Sequence, residues 1–429
     1  MKHFLKKIVV SILEIEARII LKKYNPFVIA VTGSVGKTST KDAIYTVLAG
    51  TPSYVRKSQK SFNSEIGVPL TILGCENGWS NPLLWIRNIL HGLELILLKS
   101  KYPDCLVLEV GADHPGDIQR ITKWLKPDVA VVTKVSAVPV HVEFFPSRDH
   151  LLNEKSYLIK ALKKGGTAIL SEDDEDVRNM AQLITQQMTQ RVITFGVRHS
   201  ASVNVSHDSI VYEERDGVKI PVGMSFKLNN GGNSLPVMAH EVLGIQQIYP
   251  YLAAAAVGIS RNIILTDIIK SLGTHIAPKG RMNIIPGVNN TVIIDDTYNS
   301  SPDALHEALL VLGKIETNGK KIVVLGDMME LGKFSLEEHK KAGDLARQVA
   351  TIVVTVGQRS KGMGENIISF NTSSEAGEYV RRMVAKGDVV LVKGSQSMRM
   401  ERVVKNLLAE PEKAGELLVR QEPEWLARK

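Results

Sequence analysis

The sequence predicts an α/β protein with two sheet domains, and three observations support this. An apolar, β-branched run over residues 28–32 ends in a glycine-bracketed loop, and a helical pattern follows over residues 41–48. Apolar strands and amphipathic helices then alternate to about residue 170. A second strand–helix series starts near Asn283. We therefore predict a parallel-sheet central domain with a phosphate-binding loop (P-loop), followed by a smaller Rossmann-like α/β C-terminal domain.

The loop after the first strand reads Gly33-Ser34-Val35-Gly36-Lys37-Thr38-Ser39. Its glycines let backbone N–H groups turn toward one anion at the start of a helix. Lys37 would reach the outer phosphates, and the Thr38 hydroxyl would hold Mg²⁺. The loop is shorter than the general motif, which would need glycine at Val31. It still predicts a site for a nucleoside triphosphate, because strand, Gly-Lys-Thr and helix occur in the required order.

Composition and charge indicate which kinds of molecule the chain can bind. The chain has 429 residues, 44% hydrophobic and 23% charged, as in an ordinary globular protein. A net charge of +8 favours anionic partners, but aromatic residues make up only 5% and no block of lysine and arginine occurs. We expect no nucleic acid, and polyphosphate or lipid as the anion. Cys75 and Cys105 lack metal-ligand spacing, which indicates a reducing cytoplasm.

Two segments have apolar and basic positions at helical spacing, residues 1–24 and residues 82–102. Charged residues interrupt the first segment, so it is not a membrane span, and no signal-peptide cleavage site follows it. We expect the first helix to dock on its own domain and the second to belong to the core. The alternative is a shared surface that faces a membrane or a partner. We expect the protein to be cytoplasmic. If the two helices face a membrane, the protein would lie at the cytoplasmic surface of the inner membrane.

The order of the remaining elements gives the domain boundaries. Strands are predicted at 106–110, 129–133, 167–170, 291–294, 321–325, 352–356 and 389–392, short antiparallel strands at 200–235, and helices at 150–163, 247–260 and 266–272. We divide the chain into an N-terminal helix (1–27), a central domain (28–281) and a C-terminal domain (282–429). The tail after Ala409 is expected to be helix and a fraying end.

Several motifs occur together in one order along residues 28–405. They are Thr32 to Thr38, Asn63 with Gly67-Val68-Pro69, Glu109-Val110-Gly111-Ala112, His141-Val142-Glu143, Gly280-Arg281-Met282, Asp295-Asp296-Thr297-Tyr298-Asn299, Leu325-Gly326-Asp327-Met328, and Lys393-Gly394-Ser395 with Met398-Arg399-Met400-Glu401. In this the chain resembles the Mur ligase family, and most closely its MurF branch.

The resemblance implies ATP-driven amide formation through an acyl phosphate, with a peptide carboxylate as acceptor and an amino acid or a dipeptide such as D-alanyl-D-alanine as donor. It implies catalytic roles for Lys37, Glu109, His141 and Lys155, the last as a carbamylated lysine. Mg²⁺ would be held by Thr38, Glu109 and His141. ATP would contact the loop from Gly33 to Ser39 together with Arg281, Asp296 and Asn299. The acceptor and donor would meet Asn63, Lys393, Ser395 and Arg399.

The chain also departs from the family pattern. Only about 27 residues precede the P-loop strand, which leaves no room for the domain that holds a UDP-sugar in MurF-type enzymes. The family asparagine after the strand at 129–133 is Lys134, the Gly-x-His-Asn segment is Gly244-Ile245-Gln246-Gln247, and an expected arginine is Gln396. The acceptor could thus be a UDP-linked peptide, a lipid-linked precursor or another peptide. A folate-type or poly-amino-acid ligase and a non-catalytic ATP-binding scaffold are the further alternatives, and we expect a monomer.

Overall fold

The computed structural model describes residues 2–59, 62–79, 81–135, 145, 147–182, 191–198, 201–365 and 367–427. The strands are β1 Phe27–Thr32, β2 Val55–Lys57, β3 Cys105–Glu109, β4 Val129–Val132, β5 Thr167–Ser171, β6 Arg191–Gly196, β7 Val203–Arg215, β8 Val218–Asn230, β9 Asn233–His240, β10 Asn283–Gly287, β11 Thr291–Asp296, β12 Lys321–Gly326, β13 Ile352–Val356, β14 Ile368–Phe370 and β15 Val389–Lys393.

The helices lie on the faces of the sheets that these strands form. They are α1 Lys2–Tyr24, α2 Lys37–Ala49, α3 Gly67–Leu73, α4 Pro82–Leu97, α5 Asp117–Thr122, α6 Arg148–Lys160, α7 Glu175–Asn179, α8 Ile248–Ser260, α9 Leu265–Leu272, α10 Pro302–Lys314, α11 Ser335–Val349, α12 Ser373–Met383, α13 Glu401–Leu407, α14 Ala414–Leu417 and α15 Pro423–Leu426. The predicted α/β class is confirmed.

The first sheet has nine strands in the order β2-β3-β1-β4-β5-β6-β7-β8-β9. The pairs from β2 to β7 are parallel, and β7, β8 and β9 form an antiparallel meander. The sequence predicted short strands over residues 200–235. Their antiparallel pairing is confirmed, but the predicted length was wrong, because the meander strands have 13, 13 and 8 residues and continue the same sheet. Turns at Asp216-Gly217 and Gly231-Gly232 join the three strands.

The second sheet has six strands in the order β10-β11-β15-β12-β13-β14, and all its pairs except β10–β11 are parallel. One buried hydrophobic cluster runs from Val131 in the first sheet through Tyr251 on α8 to Leu391 in the second. On α8, Ala253 to Ala256 are fully buried, and these small side chains allow close packing against α2. The shared core therefore fixes one sheet relative to the other.

Helix α1 packs on its own domain through Leu13, Ala17 and Ile20, which are fully buried. Helix α4 packs beside it, but the prediction that α4 belongs to the core was wrong. Only Asn88, Gly92 and Leu95 of α4 are buried, whereas Leu90 is 60% exposed. An amphipathic pattern shows which residues share a face, and it does not show whether another element covers that face. Within the described ranges, no helix has both the length and the apolar character that crossing a bilayer requires.

The C-terminal tail also differs from the prediction of a fraying end. Leu418 and Arg420 are buried, and the Arg420 guanidinium donates to the Glu401 carboxylate and to the carbonyl oxygens of Thr297 and Tyr298. A buried carboxylate requires such partners, so the tail is held against α13 and the end of β11.

The contact between α1 and α4 contains a buried acid. Glu16 is 3% exposed and both of its carboxylate oxygens lack a hydrogen-bond partner among the described residues. A Cβ atom on Gly92 of α4 would lie 2.2 Å from Glu16 Oε2, so the glycine makes room for the carboxyl group. Burial raises the pKa of Glu16 from 4.5 to about 7.

We expect Glu16→Gln to stabilise the chain at pH 8 and to change little at pH 4. The native chain binds the extra proton between pH 4.5 and about 7, so its free energy of unfolding falls as the pH rises through that range and stays lower above it. Removing the acid should raise the free energy of unfolding at pH 8 by about 2 kcal/mol. Urea denaturation at both pH values measures this.

The matched control is Glu94→Gln, because Glu94 is an exposed acid on α4. It should leave the pH dependence unchanged. An equal effect of Glu16→Gln at pH 4 and pH 8 would contradict the assigned titration.

Candidate active site

The carboxyl ends of the parallel strands of both sheets face a common space. In the first sheet β1, β3 and β4 are neighbours, and they end at Thr32, Glu109 and Val132. In the second sheet β11 and β15 are neighbours and end at Asp296 and Lys393. Ligands of open α/β sheets bind at such edges. The polar residues that follow these strands are therefore the candidates for a site.

The P-loop is held in place by the segment after β4. Gly33 has φ +147°, and a Cβ atom there would lie 1.9 Å from Thr133 Oγ1, so only glycine fits. The Thr133 hydroxyl donates to the carbonyl of Val35 at 2.7 Å, and the Ser34 N–H donates to the carbonyl of Lys134 at 2.8 Å. Gly36, at φ +83°, then leads into α2. These contacts fix the loop at the start of a helix, where N–H groups and the helix dipole favour an anion.

Two lysines converge on the P-loop carbonyls. The Lys37 ammonium donates to Gly33 O at 3.0 Å and to Ser34 O at 3.2 Å, and the Lys155 ammonium from α6 donates to Gly33 O at 3.0 Å. Desolvation lowers the pKa of Lys37; the negative charge of Glu109 opposes this effect, and the positive charge of Arg281 adds to it. Desolvation, and next the charge of Lys37, lowers the pKa of Lys155 to about 7. Lys155 is thus a buried amine that loses its charge easily.

Thr38 and Glu109 offer hard oxygen ligands at one point. Glu109, at the end of β3, is 1% exposed, and it accepts hydrogen bonds from the Thr38 hydroxyl at 3.0 Å and from the Asn63 side-chain amide at 3.2 Å. The Lys41 ammonium lies 4.0 Å from the same carboxylate. A hydroxyl and a carboxylate beside a phosphate loop are the protein ligands that Mg²⁺ uses when phosphates supply others. These residues fit the predicted metal.

The third predicted metal ligand, His141, lies outside the described residues. Within the described ranges, no group of three or more histidine, cysteine or acidic side chains could hold a metal ion. Thr38 and Glu109 are therefore the predicted ligands that the structure brings together.

The second sheet contributes cations and polar groups from the opposite side. The Arg281 guanidinium stacks 4.0 Å from the centroid of the Tyr298 ring, and its buried Nε has no hydrogen-bond partner among the described residues. The Lys393 ammonium pairs with Asp296 at 2.5 Å and donates to Asn299 O at 2.9 Å. An unsatisfied buried donor is costly unless a ligand supplies the acceptor. Arg281 is thus a candidate for binding an anion such as a phosphate.

These residues line two cavities, which share Ser34, Arg281 and Asn299. The inner cavity, of about 130 Å³, is lined by Ser34, Val35, Gly36, Ser39, Arg281, Asp296, Asn299 and Lys393 among others. The outer cleft, of about 590 Å³, is lined by Gly33 to Thr38, Asn63, Glu109, Lys155, Arg281, Asn299 and Ser395 among others. Among the described residues, every predicted site residue except Arg399 lines one of these two spaces.

Arg399 does not line either space. It lies in the left-handed region at φ +53°, its Nε donates to Glu401, and another nitrogen donates to the carbonyl of Trp425. Its guanidinium also lies 5.5 Å from the centroid of the Trp425 ring. The expectation that Arg399 meets the amino substrate stays a prediction; its side chain contacts Glu401 and Trp425, and Trp425 lines the outer cleft.

The structure adds residues that sequence reasoning missed. Tyr298, Met329 and Trp425 line the outer cleft, and Gln246 and Glu307 line the inner cavity. Trp425 comes from the tail that was expected to fray. One signal was available for Tyr298, because it lies within the Asp-Asp-Thr-Tyr-Asn segment. No local pattern identified Trp425, since its place depends on the burial of Arg420 several residues earlier.

Taken together, the fold and the site define a P-loop nucleotide-binding protein in which a second α/β domain closes the phosphate site. Comparison with protein families gives the class. The Mur ligase middle domain matches residues 87–258, and the Mur ligase glutamate ligase domain matches residues 280–396.

Relatives and solved structures agree with this. The chain is 28% identical over 405 residues to UDP-N-acetylmuramoyl-tripeptide–D-alanyl-D-alanine ligase of Bacillus subtilis, over 92% of this chain and 79% of the relative. It is 28% identical over 395 residues to the ligase of the same name from Escherichia coli, over 89% and 76%. MurF ligase of Thermotoga maritima in complex with ADP has a TM-score of 0.76 at 27% identity, over 95% and 84%. The chain belongs to the Mur ligase family and is an ATP-dependent acid–amino-acid ligase.

The buried pair of Lys393 and Asp296 predicts a measurable coupling. Lys393→Met should destabilise the chain by about 3 kcal/mol, because Asp296 is then buried without its cation. The double variant Lys393→Met/Asp296→Asn should recover most of this loss. Urea denaturation of the parent chain, the two single variants Lys393→Met and Asp296→Asn, and the double variant measures the coupling free energy between the two residues.

A matched control is Lys341→Met, since Lys341 pairs with Glu337 on the exposed face of α11. Exposed pairs contribute about 0.5 kcal/mol or less. A loss for Lys393→Met no larger than that of the control would show that the pair is not desolvated.

Proposed function

We propose that the chain uses ATP to join D-alanyl-D-alanine, or a similar amino substrate, to the terminal carboxylate of a peptidoglycan-precursor peptide. The observation that carries the proposal is the outer cleft, which places Lys37 and Glu109 from the first sheet opposite Arg281 and Asn299. Both sides of one nucleotide can be contacted there. The names of the relatives in Bacillus subtilis and Escherichia coli support the choice of substrates.

The first step is transfer of the γ-phosphoryl group. A carboxylate oxygen of the acceptor attacks the γ-phosphorus, the bond to the β-phosphate oxygen breaks, and ADP leaves. The proposed role of Lys37 is to neutralise the oxygens of the phosphoryl group, together with the backbone N–H groups of the P-loop. Arg281 would bind the phosphates from the other side with its unpartnered Nε. Mg²⁺, when held by Thr38 and Glu109, would supply further positive charge at the phosphate oxygens.

The second step is attack of the amine on the acyl phosphate. The nitrogen bonds to the carbonyl carbon, inorganic phosphate leaves, and the amine loses a proton. The cleft residues Asn63 and Ser395 are proposed to contact the substrates. Asn299 and Asp296 are proposed to contact the nucleoside, with Lys393 as the residue that positions Asp296. The two steps require the substrates to lie in line within one water-poor space, which a cleft between two sheets provides.

Lys155 is proposed to act as a carbamate. Its neutral amine, present at neutral pH because of the lowered pKa, can add CO₂ and become an anion beside Lys37. That anion would counterbalance the positive charge of Lys37 and would offer a further oxygen ligand. His141 is kept as a proposed metal ligand and catalytic residue on the resemblance alone.

A second candidate differs only in the acceptor. The exposed apolar residues of α1 and α4 favour a peptide that is carried on a lipid rather than on a UDP-sugar. The reaction and the cleft residues would be the same. We further propose that the chain is a cytoplasmic monomer that works where ATP is available; its two cysteines are free thiols.

Phosphate release tests the ligase proposal. ATP with a UDP-N-acetylmuramoyl tripeptide and D-alanyl-D-alanine should give ADP, phosphate and the pentapeptide product, whereas omission of either substrate should give none. Replacing the UDP-linked peptide by a lipid-linked one separates the two acceptors. Lys37→Ala should lower kcat at least about a thousandfold, because it removes charge neutralisation in the transition state.

The thermal midpoint of Lys37→Ala should stay near that of the parent chain, and exposed Lys340→Ala serves as the control. ATP binding without turnover of any acceptor would support the scaffold alternative. Full activity of Lys37→Ala would refute the assigned site.

Carbamylation of Lys155 gives a separate prediction. Activity should fall on removal of dissolved CO₂ and recover on addition of bicarbonate. It should also fall as the pH drops below about 7, because the protonated amine cannot add CO₂. Lys155→Ala should lose activity about a hundredfold.

The direct measurement is ¹³C NMR of the chain in ¹³C-bicarbonate. A carbamate signal should be present in the parent and in Lys160→Ala, a control on the exposed side of α6, and absent in Lys155→Ala. The same signal in Lys155→Ala would assign the carbamate to another amine.

A further inference from the structure

The exposed hydrophobic side chains of the chain are concentrated on one surface. Within the described ranges, ten of seventeen large exposed hydrophobic residues lie between positions 8 and 19 or between 79 and 98. We call this surface the apolar face and define it by Ile8, Ile15 and Ile19 of α1 and Leu83, Leu90 and Leu97 of α4, with exposed fractions of 41–78%. A contiguous patch of this kind marks an interaction site.

Helix geometry makes the apolar face continuous. On each helix the apolar residues recur every three, four or seven positions, so they form one stripe. The two helices meet where Glu16 packs on Gly92 and where the Lys23 ammonium donates to the carbonyls of Leu95 and Ile96. Ile19 lies about 60° around α1 from Glu16, and Leu93 lies about 60° around α4 from Ile96. Each stripe therefore has one member close to the line where the two helices meet.

The charge of these two helices indicates what the face binds. Residues 2–24 contain six lysines and arginines against two glutamates, and residues 82–101 contain three against one. The two segments thus account for +6 of the net charge of +8. Lys22, Lys99 and Lys101 are exposed near the C-terminal ends of the two helices. Apolar residues flanked by lysines are the composition that anionic lipid surfaces attract.

The same charge disfavours a second copy of the chain as the occupant. A two-fold symmetric dimer would place this face against itself and bring two sets of six positive charges together. Trp79, 63% exposed just before α4, and the flanking lysines also suit the interface between lipid and water.

We infer that the apolar face is a peripheral binding surface for an anionic lipid bilayer, with α1 and α4 lying in the plane of the headgroups. The Lys6 ammonium of α1 lies 3.5 Å from the Glu65 carboxylate, two residues after Asn63 of the outer cleft, so the N-terminal part of α1 lies near that cleft. The cleft would then open beside the membrane. This last step rests on the proposed function, whereas the lipid contact does not.

Vesicle co-sedimentation tests the lipid contact with the full chain. It should bind vesicles of phosphatidylglycerol and phosphatidylcholine, bind pure phosphatidylcholine vesicles much more weakly, and dissociate as salt is raised. Leu90→Gln/Leu97→Gln should weaken binding at least about tenfold, because both apolar side chains are lost from the lipid contact. Lys99→Gln/Lys101→Gln should weaken it about fivefold per lysine.

The control is Ile264→Gln/Leu336→Gln, which removes two exposed apolar side chains elsewhere and should bind like the parent. Thermal midpoints and ATP turnover with a UDP-linked acceptor report folding independently. Since all four substituted leucines and lysines are exposed, these readouts should be unchanged.

Three outcomes would overturn the inference. The parent chain fails to bind the anionic vesicles, or Leu90→Gln/Leu97→Gln binds them as the parent does. The third outcome is that sedimentation velocity shows a dimer of the parent chain without lipid and a monomer of Leu90→Gln/Leu97→Gln. This would assign the apolar face to contact with a second copy of the chain. Failure of ligase activity with intact vesicle binding would instead count against the proposed function alone.

Discussion

The buried carboxylate of Glu109 is the contact on which the phosphate site depends. It accepts from the Thr38 hydroxyl at the start of α2 and from the Asn63 amide in the loop before α3, and the backbone N–H of Glu109 donates to Ser58 Oγ. A carboxylate that is 1% exposed is tolerated only where its oxygens are satisfied. Three segments that are far apart in sequence are thereby held at one point. The orientation of the P-loop relative to β3 follows from this requirement.

The second sheet is placed by apolar packing rather than by polar contacts across the cleft. The cluster that passes through α8 joins the two sheets, and its members Leu243, Met282 and Val311 also line the inner cavity. Polar groups at the strand ends remain available to a ligand, since the Nε of Arg281 has no hydrogen-bond partner in the part of the chain that the structure describes. The apolar core thus fixes the distance between the sheets, and the strand ends supply the polar groups that a ligand can contact.

How much the sequence could predict depended on whether the evidence was local. The P-loop and Glu109 were predictable because a strand, a turn and a polar residue adjoin each other in the chain. Arg281, Asp296 and Asn299 had no local signature strong enough on their own, and only the resemblance to a family identified them. The exposure of α4 and the position of Trp425 were not predictable, because both depend on which distant element packs there. For Arg399 the motif matched the family, but the motif alone did not show that the guanidinium group donates a hydrogen bond to Glu401.

The structure also shows where the excess positive charge of the chain lies. At the cleft, the cations have acidic neighbours: Lys37 lies near Glu109 and Asp113, and Lys393 is paired with Asp296. The affinity for a polyphosphate there must come from N–H groups, the helix dipole and a few directed side chains, and not from excess charge. Most of the excess, +6, lies on residues 2–24 and 82–101, and none of the described residues of these two segments lines either cavity. The sequence offered polyphosphate and lipid as competing anions, but the fold gives each its own surface, so the two assignments do not compete.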